Sequence, residues 1–157
     1  MKLLADAMLG RLARWLRILG YDTVYSADTD DFAVLRLARA GERLILTRDH
    51  DLAERRGVRT LLITSESLED QLREVRAAIG PPTDTSFSRC PECNGMLVEA
   101  PPALVTERVP PFVRRTQRHF SLCEGCGRVY WRGTHWERMQ ELITGLRAGE
   151  GSDTIEA

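Results

Sequence analysis

The sequence predicts an α/β fold, an open parallel sheet flanked by helices, followed by a small cysteine-bearing module. Three observations carry this. From residue 2 to about 79, short apolar runs alternate with amphipathic segments, the pattern of strand and helix units whose helices cover a parallel sheet. A polar, proline-bearing connector then runs from Pro81 to Ser86. All four cysteines fall after it, between residues 90 and 126.

Each element has its own signal. Strands are expected at "KLLA" (2–5), "TVYS" (23–26), "RLILT" (43–47) and "TLLIT" (60–64). In "MLGRLARWLRIL", Leu9, Leu12, Ala13, Leu16 and Leu19 recur at helical spacing, and Gly20 supplies the stop. Phe32, Leu35 and Ala38 repeat the pattern in a second helix that closes at Gly41. A short helix is expected over 49–56, and a longer one after Ser67, an N-cap residue, ending at Gly80. The connector marks a domain boundary near residue 85, which gives three regions: 1–80, 86–147 and a tail over 148–157. A closing helix is expected from Thr134 to Arg147.

At 157 residues, with 43% hydrophobic content, the chain supports one ordinary core and a small appendage. Its 22 basic and 23 acidic residues nearly cancel, so any polyanion must be met by local patches rather than by net charge. The opening "MKLLADAMLG" is interrupted by Asp6 and lacks a secretory apolar core, and no run approaches about 18 apolar residues. No membrane association is expected, and the cytoplasm is the expected location. No protein partner is legible.

Cys90 and Cys93 form one Cys-x-x-Cys pair, Cys123 and Cys126 another, about 30 residues on. Two such turns can converge four thiolates on a tetrahedral Zn²⁺. Asn94 and Gly95 follow the first pair, while Gly125 and Gly127 surround the last ligand, all suited to tight turns. Four cysteine ligands leave no open position for water, so the zinc is expected to be structural, leaving His119 and His135 as surface or packing residues. Arg114, Arg115, Arg118, Arg128 and Arg132, interleaved with Phe112, Phe120, Tyr130 and Trp131, compose a candidate single-strand RNA surface. The same aromatics also suit the floor of the ribbon.

In open parallel sheets, ligands collect beyond the carboxyl ends of the strands. Asp6 follows the first strand, Asp28, Asp30 and Asp31 the second, and Asp49 and Asp51 the third. Acids gathered at one edge repel one another and call for a cation. Mg²⁺ or Mn²⁺ suits carboxylate oxygens and supports phosphodiester hydrolysis. Each aspartate also suits a helix cap; their joint position favours the metal. Asp28 is the more peripheral candidate, and Ser65 and Glu66 are outer contacts. Arg11, Arg14 and Arg17 recur at three-residue spacing and, with Arg48, are candidate phosphate contacts, although a solvated helix face fits equally.

The strings "LADAMLGRLARWLRILGYDTVY", the acids at 30 and 31, "RLILTRDHDL", and "CPECNG" with "CEGCGRVYWRGTHWERM" resemble the Mut7-C RNase family over roughly residues 1–147. The resemblance implies a PIN-like nuclease sheet with an appended zinc ribbon, a divalent metal site and hydrolytic cleavage of RNA. It places the metal ligands at Asp6 and Asp49, with Asp30, Asp31 and Asp51 adjacent. Many PIN nucleases carry a glutamate in an early helix, where this chain offers Asp30 and Asp31.

Overall fold

The computed structural model describes residues 1–133 and 136–148. The chain divides into two compact units, Met1–Asn94 and Gly95–Ala157. Thr134, where the closing helix was expected to begin, His135, and the expected tail beyond residue 148 lie outside the described residues.

The first unit is a four-stranded parallel sheet, β1 (Leu3–Ala5), β2 (Thr23–Tyr25), β3 (Leu44–Thr47) and β4 (Thr60–Leu62), in the order β2-β1-β3-β4. Its helices are α1 (Gly10–Leu19), α2 (Asp31–Gly41), α3 (His50–Ala53) and α4 (Leu68–Ile79). All the expected strands and helices of this region are present, with ends shifted by a few residues. The first helix departs most: Ala7–Leu9 form a 3-10 turn before α1. Asp6 is the reason, since its side chain accepts the Met8 N–H and tightens the entry.

The central strands β1 and β3 are buried throughout, as a parallel sheet covered on both faces requires. Leu4 and Ile45 pack with Val34, Leu35 and Ala38 of α2 and Leu52 of α3. Leu3 and Leu46 alternate to the other face, on the side of α1, which itself packs on α4. Right-handed crossovers account for this division, because α1 links β1 to β2 in one direction while α2 carries the chain back past β1 to β3.

The connector is strapped to α1. Phe87 N–H donates to Ile18 O at 2.7 Å, and Gly20, at φ 105°, leaves no room for a side chain: a Cβ there would meet Asp84 O at 2.3 Å. Glycine is needed at this position for both reasons. The first cysteine turn is fixed to β2 within the same unit. Asn94 Oδ1 accepts the Thr23 N–H at 3.0 Å, and Asn94 Nδ2 donates to Asp22 at 2.8 Å.

The second unit contains an antiparallel sheet, β5 (Leu97–Glu99), β6 (Phe120–Cys123) and β7 (Val129–Trp131), in that order. Between β5 and β6 lie α5 (Pro102–Arg108) and α6 (Pro111–Thr116), each opening on a proline; α7 is Trp136–Ala148.

Candidate active site and metal centre

The chain leaves β1 toward β2 and then crosses to β3 on the opposite side, so the topological switch point lies between β1 and β3. Crevices form at such points beyond the carboxyl ends of the strands, because the connections diverge there. Asp6 is the first residue after β1, and Asp49 the second after β3. Thr47, the last residue of β3, is fully buried and joins them: its hydroxyl donates to Asp6 Oδ2 and accepts the Asp49 N–H at 3.0 Å. Asp6 N–H also donates to Leu46 O at 3.1 Å, registering the two strand ends.

The remaining acids follow β2 and β3 and have local partners of their own. Asp49 caps α3 through Oδ1, which accepts the N–H groups of Asp51 and Leu52. Asp30 caps α2 through Oδ1, accepting the Phe32 N–H at 3.1 Å, and its own N–H donates to Asp28 Oδ1. Asp31 pairs with Arg55 at 3.6 Å, and Asp51 is exposed in the first turn of α3. Among the described residues, three or more carboxylates do not converge on one point; the close link is the one between Asp6 and Asp49. The edge is completed at β4, where Glu74 accepts the N–H groups of Thr64 and Ser65. Burial alone would raise the Glu74 pKa, and those N–H donors hold it below the usual glutamate range.

The arginines divide by use. Arg17 is buried, donating through Nε to Thr23 O at 2.8 Å and through Nη1 to Pro91 O and Glu92 O. It clamps the first cysteine turn, so the expectation of a phosphate contact is corrected here. Helical spacing shows which face a residue shares, and two of the three carbonyls that capture Arg17, those of Pro91 and Glu92, come from more than 70 residues downstream. Burial pulls its pKa down, opposed by negative charge at Cys90, Cys93 and Glu92. Arg14 pairs with Glu92, Arg48 donates to Ser65 O at 2.6 Å, and Arg11 is exposed. Arg115 and Arg118 are exposed, while Arg114 is half-buried with a Nε that finds no partner among the described residues. Phe112 is exposed on α6, whereas Phe120 packs on Trp131 with ring centroids 6.4 Å apart.

The four cysteines converge. The Sγ atoms of Cys90, Cys93, Cys123 and Cys126 all lie within 4.8 Å of one another. A Zn–S bond of about 2.3 Å sets sulfur separations of about 3.8 Å in a tetrahedron, so the quartet fits a metal such as zinc. The two turns match: Asn94 N–H donates to Cys90 O and Gly127 N–H to Cys123 O, each at 2.9 Å. Asn94 and Gly127, one residue past each second cysteine, adopt φ of 69° and 77°.

The class defined is thus an α/β protein with a carboxylate-lined switch point and a four-cysteine cluster able to hold a metal. The family comparison is specific: the Mut7-C RNAse domain model matches residues 1–143, and the chain belongs to that family. Comparison with curated proteins gives no match, and comparison with solved structures gives none. Membership supports a ribonuclease-type hydrolase with RNA as its substrate class. No helix among the described residues is long and apolar enough to cross a membrane.

Proposed function

We propose that the chain is a divalent-metal-dependent ribonuclease hydrolysing RNA phosphodiester bonds, in which a PIN-like sheet carries the chemistry and a structural zinc ribbon helps hold the substrate. The reading rests chiefly on the link from Asp6 through Thr47 to Asp49 at the switch point. Asp6 and Asp49 would hold Mg²⁺ or Mn²⁺, with Asp30, Asp31 or Asp51 assisting from the rim. The donor set suits a hard cation: Thr47 orients Asp6, and Asp49 Oδ2 accepts no hydrogen bond among the described residues. When bound, such an ion supplies Lewis acidity for the phosphoryl group and for the attacking water. In hydrolysis the water oxygen would form a bond to phosphorus as the bond to the 3′ oxygen breaks, and that oxygen would leave as a hydroxyl after taking up a proton. Asp6 and Asp49 would fix the reacting geometry, and one of the rim carboxylates would accept a proton from the attacking water. Cytoplasmic location remains part of this proposal.

One observation favours a second reading, a non-catalytic RNA or ribonucleoprotein binding module: Asp6, Asp30 and Asp49 each cap a helical turn. Capping occupies one oxygen of Asp30 and of Asp49 and is compatible with metal binding. Cleavage of a labelled RNA with Mn²⁺ separates the two. Asp6→Asn and Asp49→Asn should each abolish cleavage while leaving RNA binding within about twofold. Undiminished cleavage by both variants would remove the proposed site.

A further inference from the structure

The face of α2 that leads away from the acidic edge carries Phe32, Arg36 and Arg39. These positions are spaced i, i+4 and i+7, so they share one helical stripe about 10 Å long at 1.5 Å per residue. Phe32 is 73% exposed and lies directly after the acids at 30 and 31.

Two clefts adjoin along this stripe. One, of about 390 Å³, is lined by Phe32, Leu35, Arg36 and Arg39. The other, of about 760 Å³, includes Arg39, Glu42, Arg43, Gly57 and Arg59 in its lining. Arg39 belongs to both, which makes them one trough. Its far wall is the turn at Gly57, which at φ 80° comes so near that a Cβ there would lie 3.5 Å from Arg39 Nη2.

Charge decides what the trough takes. Arg43 is committed to Asp22 and to Leu3 O, and Glu42 contributes one negative charge. The side chains of Arg36, Arg39 and Arg59 have no hydrogen-bond or ion-pair partner among the described residues. Three guanidinium groups against one carboxylate favour an anionic chain. An exposed aromatic at the end nearest the acids favours one with unpaired bases to stack.

We propose that α2 and the loop at 57–59 form a guiding groove for single-stranded RNA, with phosphates on Arg36, Arg39 and Arg59 and a base on Phe32. The inference rests on the ribonuclease reading, for which it supplies the substrate form and the track along which the strand leaves the acidic edge.

The test uses the full chain carrying Asp6→Asn, so that RNA is bound and not cut, with labelled oligouridine titrated at several KCl concentrations. Replacing Arg36, Arg39 and Arg59 with Gln should flatten the slope of log affinity against log salt by about 2, at about 0.7 per lost single-strand phosphate contact. Phe32→Ala should weaken binding about tenfold with the slope unchanged, as loss of a stacked base requires. The single change Arg39→Glu provides a smaller perturbation with the same expected direction. An unchanged slope in the triple variant overturns the groove, as does competition by polyglutamate as effective as that by unlabelled oligouridine. Failure of the unmutated chain to cut RNA with Mn²⁺ would instead overturn the ribonuclease reading and leave the slope measurement standing.

Discussion

Thr47 shows how much one hydroxyl can carry. It is fully buried and serves Asp6 and Asp49 together. Thr47→Val keeps the shape but leaves the Asp49 N–H and an Asp6 oxygen unmatched, a stability cost of about 1–3 kcal/mol. Loss of an orienting contact behind a ligand should lower Mn²⁺-dependent cleavage about 10- to 100-fold, read from initial rates on one RNA with folding checked by circular dichroism. Asp22 yields a pH prediction. Burial alone would raise its pKa, but hydrogen bonds from Arg43 and Asn94, with the charges of Arg43 and Arg89, hold it below its unfolded value of 3.8. A depressed carboxylate contributes stability that is fully present above the unfolded value and is lost as pH falls toward the folded one. Urea melts should therefore show Asp22→Asn closing its stability gap to the parent as pH falls below about 4. Asp6 and Asp49 were legible because both follow apolar runs. Thr47 was read only as part of a strand, since nothing local marks its hydroxyl as facing two acids.

Among elements, the helices and strands of the first unit were legible because each has a clean apolar period and a stop signal such as Gly20 or Gly80. The helices α5 and α6 were not read. Each has fewer than eight residues and no buried face among its own side chains, so the period had nothing to act on. Their one signal was the proline at the first turn, which a helix tolerates because that N–H has no partner within the helix. The cysteine turns were legible from spacing alone. What spacing hid is the attachment of the first turn to β2 through Arg17 and Asn94. Arg17→Met should cost about 3 kcal/mol in urea denaturation, because one buried and two part-buried carbonyl contacts of a charged donor are removed together. It should also loosen zinc, seen as faster metal release to a colorimetric chelator.

For the whole molecule, two compact units imply that unfolding need not be a single transition. A strong zinc chelator should release one equivalent of metal and remove the second unit's signal, since a small metal module draws about 10 kcal/mol or more of apparent binding free energy from its ion. The parallel sheet has its own core around Leu4 and Ile45 and should persist. Leu4→Ala should lower that later transition by about 2–5 kcal/mol, measured with the denaturant slope unchanged. The attachment of the cysteine turn also bears on how the protein is made. β2 is an edge strand, and its Thr23 N–H and C=O are covered by Asn94 and Arg17. Uncovered edges invite pairing with other chains. As the chain emerges from the ribosome, Leu62, the last residue of β4, is exposed before Asn94 has left the exit tunnel. During that interval the β2 edge is open to pairing with other chains.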